Sequence, residues 1–217
     1  MTQAFTAGIA VAVVSLVAVV GPVLGLSPWL ITLVVALALG SLTLDAAQFG
    51  GRGGHLLAET LPGGLARLRR IAVHEAGHVF VAKAEALPVR QVLVGSLACL
   101  RAGLSSGGIT VLEPPAHAKL SAVELRRWSK VLQAGMVAEQ LIYGESEGGA
   151  DDRALLGRLW GLSGFDAETA QREQRRARRE VEQALRAQQN ELEQEALLLL
   201  QQAPRLGRPA AAIGAEA

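Results

Sequence analysis

Two histidines stand four residues apart in the run RRIAVHEAGHVFVAKAEAL, as His74-Glu75-Ala76-Gly77-His78. On an α-helix, residues at that spacing lie one above the other on a single face, so both imidazoles can reach one ion. Glu75 projects about 100° further round. Its carboxylate then sits beside the ion rather than on it, where it can take a proton from a water that the ion polarises. The spacing is that of the helices that hold zinc in metallopeptidases. The same string also arises on helices whose histidines only hydrogen-bond in a core. Two features favour chemistry. The chain has 4 His in all, and two fall in this motif. Gly77 also sits in mid-helix at a cost of about 1 kcal/mol against Ala, which calls for a backbone passing close by.

A helix from Leu65 must carry the motif, and it should end near Leu87-Pro88, since the residue before proline is pushed out of the α region. Val89 to Val94 and Ile109 to Leu112 are short β-branched runs around a glycine- and serine-rich connection, which predicts two or three strands of a small sheet. An edge strand beside the motif helix could hold an extended substrate through main-chain hydrogen bonds. Ser121 and Glu124 form a capping-box pattern ahead of a helix over Ala122 to Tyr143, with Val131, Leu132, Met136, Val137, Leu141 and Ile142 as its core positions. Glu139 lies among them, either as a buried carboxylate that orients an imidazole or as a surface charge.

After Gly144 the loop leads to Asp151-Asp152 and a second amphipathic helix. Asp152 precedes Leu155, Leu156, Leu159 and Trp160 by three, four, seven and eight residues, which turns it inward, while Asp151 points away. An inward Asp at a helix start also serves simply as a residue favoured by the helix dipole. Asp166 to Gln202 reads as one long, charge-interleaved helix with a solvated face, and the Ala- and Gly-rich tail after Pro204 reads as disordered. His55, in a glycine-rich stretch, and His117, after a double proline, lack ligand spacing and read as surface histidines.

From Met1 to Leu44 there is no Asp, Glu, Lys or Arg. The run is long enough for two spans of about 20 residues. Gly21-Pro22 through Ser27-Pro28 can turn the chain over, giving a hairpin with arms over Phe5 to Val20 and Trp29 to Leu44. Arg52, Arg67, Arg69 and Arg70 follow the second arm and the turn carries no cation, so the N-terminus and the domain beyond the hairpin are expected on the cytoplasmic side. Cys99 is the single cysteine, which agrees with a reducing compartment. A formal net charge of +1 gives no argument for nucleic acid. The expected organisation is a transmembrane hairpin over 1–48, a flexible linker over 49–64, a domain over 65–203 and a tail over 204–217.

Taken together, HEAGHVFVA followed by LPV, GGITVLEPP, LQAGMVAEQLIYGE and GGADD resembles the peptidase domain of the FtsH-type membrane zinc proteases, from about Arg70 to Trp160. The resemblance implies a mainly α, zincin-like fold with a small sheet, and zinc as cofactor. It implies His74, His78 and Asp152 as metal ligands, with Asp151 retained as the lesser candidate, because the family pattern usually has one more residue ahead of the ligand Asp. It also implies Glu75 as general base and Glu139 as a supporting carboxylate. The chain departs from that family in lacking a GxxxxGK[ST] phosphate loop or room for an ATPase module between Phe49 and Leu65. The expected activity is therefore that of a membrane-anchored zinc metalloendopeptidase, ATP-independent in itself, acting on unfolded or delivered polypeptides. A homo-oligomer or an ATPase partner is compatible with this reading. The alternative is a non-catalytic membrane adaptor or pseudoprotease that binds a full-length ATPase-protease relative.

Overall fold

The computed structural model describes residues 2–49, 59, 63–104 and 106–205, with side chains left out at 2–10, 13, 42 and 44–49. His55 and the tail beyond residue 205 lie outside the described residues. The chain is mainly helical with one small sheet. Two apolar helices come first, α1 (Thr2–Val23) and α2 (Pro28–Phe49). They are joined by a turn in which the Leu26 N–H donates to the Gly21 carbonyl at 2.9 Å. Pro22 falls in the last turn of α1, so helix runs through the first half of the expected break. Among the described residues no helix is long and apolar enough to cross a membrane, so the transmembrane hairpin expected from the sequence has no support here as a membrane element.

The remaining elements are α3 (Gly64–Ala84), β1 (Val89–Val94), α4 (Ser96–Arg101), β2 (Gly108–Leu112), α5 (Ala122–Tyr143), α6 (Ala150–Leu162), α7 (Ala167–Ala187) and α8 (Gln189–Gln202). Helix α3 lies at the centre. It packs on α5, on α8 and on one face of the sheet, while α5 also carries α6 and α7. The main core joins Val73, Ala76 and Val81 of α3 to Val131, Ala134 and Val137 of α5, with Val181 and Leu185 of α7 and Leu192 of α8. A second core, around Leu125, Trp128, Leu132, Leu156 and Trp160, fastens α6 to α5.

Local sequence explains most boundaries. The capping box at Ser121 forms, with the Ser121 Oγ accepting from the Glu124 N–H and the Glu124 carboxylate accepting from the Ser121 N–H. Gly144 ends α5 in the left-handed conformation, φ 79°. The sheet among the described residues has two strands, antiparallel, with Val92 opposite Thr110 and Val94 opposite Gly108. The glycine- and serine-rich connection between them contains α4, a six-residue helix that buries Ser96, Leu97, Ala98 and Cys99.

The expected single helix from Asp166 to Gln202 is instead two helices, broken at Gln188 (φ −128°, ψ 38°). Packing accounts for the break: α7 lies on α5, whereas α8 lies on α3, and the bend lets Leu192, Ala196 and Leu200 bury where a straight helix would run past the bundle.

Candidate metal centre

Helix α3 buries both motif imidazoles against α5. Gly77 fits where a Cβ would stand 2.6 Å from the Ala134 carbonyl oxygen, so the glycine is there to let the two helices touch. Gly135 of α5 plays the matching part, since a Cβ at that position would lie 2.5 Å from the His74 ring. The rings stand edge to face with centroids 4.8 Å apart.

Each ring is held by its Nδ1. His78 Nδ1 donates to the Val131 carbonyl at 2.7 Å, and His74 Nδ1 meets Glu139 Oε1 at 2.5 Å. A carbonyl can only accept, so His78 carries a proton on Nδ1, and Nε2 is the nitrogen left to face Asp152 and to serve as a metal donor. The carboxylate of Glu139 sets the same tautomer for His74. Glu139, 2% exposed, is therefore the buried orienting carboxylate and not a surface charge.

Asp152 arrives from α6. Leu156, Leu159 and Trp160 pack on α5, and Trp160 Nε1 donates to Ser129 Oγ at 2.9 Å, which fixes the rotation of the helix. Asp152 Oδ2 then lies 3.2 Å from His74 Nε2 and 3.5 Å from His78 Nε2. Asp151 is exposed and outside this group, as is His117. The loop into α6 needs both of its glycines. A Cβ at Gly148 would stand 2.8 Å from Glu139 Oε1, and Gly149 caps α6 at φ 84° against Met136.

His74, His78 and Asp152 lie close enough to bind a metal ion, with one ligand atom from each all within 4.8 Å of one another. Donors about 2.0–2.1 Å from a tetrahedral ion stand roughly 3.3 Å apart, which matches the two His–Asp separations. The chemistry of the set points the same way, because three lone-pair donors converge and only a cation can serve all of them. A proton serves one pair at a time. Burial disfavours a charged His74 ring, yet its hydrogen bonds to Asp152 and Glu139 outweigh that and push its pKa up to about 10. Burial would also raise the Asp152 carboxyl, but the two imidazoles hold it well below the usual carboxylate range.

Glu75 lies beside this group at 4% exposure. Its Oε2 accepts from Thr110 Oγ1 of β2 at 2.8 Å. At Gly108 a Cβ would stand 2.4 Å from Ile71 and 2.8 Å from Glu75 Oε1, so the glycine lets the strand pass over the carboxylate. Burial pushes the Glu75 carboxyl up, against the lowering effect of the two histidines and Thr110.

Two contributors were not foreseen in the sequence, Thr110 and Arg70. Arg70 carried one available signal: it lies four residues before His74 and so shares that face of α3. No family model matches the chain, and no curated protein matches it.

Proposed function

We propose that the chain is a membrane-anchored zinc metalloendopeptidase that hydrolyses unfolded or delivered polypeptides. The observation that carries the reading is a convergent His74, His78 and Asp152 donor set with a buried Glu75 carboxylate beside it. Zinc suits a donor set of two imidazoles and a carboxylate, leaves a fourth position for water, and lowers the pKa of that water towards about 7.

The chain's own residues account for the rest. Glu139 and the Val131 carbonyl hold the two rings in the tautomer that offers Nε2 to the ion. Thr110 occupies one oxygen of Glu75, and the other is left to accept a proton from the attacking water and to pass it to the leaving amine. A buried carboxyl whose pKa is raised is a stronger proton acceptor than a solvated one. A substrate laid in extended form along β2 would pass beside Glu75.

Membrane anchoring is supported by the uncharged run from Met1 to Leu44 and by the apolar side chains that α1 and α2 turn outward, among them Val19 at 71% and Trp29 at 83% exposed.

The test uses the full chain purified in detergent. About one zinc per chain is expected, lost in His74→Ala, with cleavage of casein abolished in Glu75→Gln while the fold persists. Undiminished cleavage by Glu75→Gln would remove the peptidase reading. Bound zinc without turnover of any unfolded substrate would select the adaptor instead.

A further inference from the structure

The guanidinium of Arg70 is engaged on every side. Its Nε donates to Glu139 Oε2 at 2.9 Å, one terminal nitrogen to Glu147 Oε1 at 2.6 Å, and the other to the Glu145 carbonyl at 2.7 Å. Its carbon also lies 4.9 Å from the centroid of the Tyr143 ring. Glu139 closes the circuit, since its Oε1 meets His74 Nδ1 and its Oε2 accepts from the Glu147 backbone N–H at 2.9 Å. Arg70 thus ties three consecutive places together: the C-terminal turn of α5, the connection from Glu145 to Glu147, and the carboxylate that holds His74. Asp152 follows Glu147 by five residues, through two glycines packed against Glu139, His74 and Met136.

We infer that Arg70 is a positioning residue for the metal centre: it clamps the 145–147 connection onto Glu139 and so sets both the ring of His74 and the helix start that presents Asp152. The inference rests on His74, His78 and Asp152 being metal ligands. Its physical basis is the planar fork of arginine, which reaches two carboxylates and a carbonyl at fixed angles; a lysine ammonium in that place cannot serve all three. Without the fork, Glu139 keeps His74 but loses one of its charged partners. The connection is then held by a single backbone N–H, and the ligand beyond it gains freedom that metal binding must remove.

The experiment measures zinc affinity by competition with a chromophoric chelator, together with the visible absorption of the Co²⁺-loaded protein and the thermal midpoint of the metal-free protein. It compares the full chain with Arg70→Gln, Arg70→Lys and Glu147→Ala. Arg70→Gln is expected to weaken zinc binding roughly 10- to 100-fold, the range found when partners of metal ligands are removed. It should also shift the Co²⁺ bands, because the carboxylate donor is displaced. Arg70→Lys should recover only part of the loss. Glu147, with a side chain 65% exposed, can be truncated without threat to the fold, and Glu147→Ala should show a smaller loss in the same direction.

Unchanged affinity and spectrum in Arg70→Gln would overturn the inference and leave the metal centre standing, as would a lowered thermal midpoint with unchanged affinity. If Arg70→Gln does not fold, unchanged affinity in Glu147→Ala overturns it instead. Failure of the unsubstituted chain to take up zinc or cobalt removes the metal centre itself, and that result is visible before any variant is compared.

Discussion

Glu75 places a carboxylate where the fold would prefer a neutral group. It is 4% exposed, and among the described residues the side-chain donor to its carboxylate is the Thr110 hydroxyl. A carboxyl whose folded pKa is raised costs stability once pH exceeds its unfolded value, near 4.5, and the cost grows until the folded pKa is passed. In the metal-free protein at pH 7, Glu75→Gln should therefore raise stability by on the order of 1 kcal/mol while removing hydrolysis. Chemical denaturation in the presence of a chelator checks this, and a loss of stability would show that the charge is better solvated than its burial implies. The residues that the sequence revealed here are the ones whose meaning is local. His74, Glu75 and His78 follow from a helical repeat, and Asp152 turns inward by the same repeat on another helix. Arg70 and Thr110 work through partners 69 to 77 and 35 positions away, and no spacing rule reaches that far.

Between elements, the decisive contact is α3 on α5. Gly77 and Gly135 bring the backbones close enough for one helix to hold the other's histidine. Gly77→Ala would place a methyl 2.6 Å from a backbone carbonyl that cannot swing aside, so the helices must separate. The expected cost is about 1–3 kcal/mol, together with weaker zinc binding, because Val131 moves away from His78. Retention of both stability and affinity would show that α5 yields more easily than its packing suggests. The close approach was legible in advance from a glycine in mid-helix, and the capping box marked the start of α5.

The bend at Gln188 was not legible. It has no Gly or Pro, and it arises from which helices α7 and α8 must cover. The α3–α5–α7 stack also carries a titratable tie. Lys130 Nζ lies 2.9 Å from Glu85 and 3.0 Å from Glu180. Its hydrogen bond and charge lower the Glu180 carboxyl, so the contribution exists above about pH 4.5 and fades as pH falls through the lowered value. The Lys130 pKa is raised, with its two carboxylate partners outweighing burial, so this side of the pair stays charged across the same range. Lys130→Met should thus cost about 1 kcal/mol at pH 7 and progressively less as pH falls through the lowered Glu180 value, as thermal midpoints at neutral and acid pH would show.

Across the whole molecule, two kinds of surface meet in one chain. From α3 onward, apolar side chains gather into three buried clusters and, apart from groups at the candidate site such as Glu75 and Glu139, most charges face outward. In α1 and α2 most of the described leucines and valines instead face outward around a helix pair with no ionised side chain before Asp45. Water does not tolerate such a surface for long, since each fully exposed Leu or Val forgoes about 1.5–3 kcal/mol of burial. Lipid or another apolar surface is the expected cover. If lipid is the cover, the full chain should remain with membranes after both high salt and alkaline carbonate, because screening does not touch apolar burial. Removal of residues 1–48 should release it to the supernatant with its zinc. Release of the full chain by salt alone would instead identify the contact as electrostatic, through basic side chains such as those in the first turns of α3, and would leave α1 and α2 to be covered by protein.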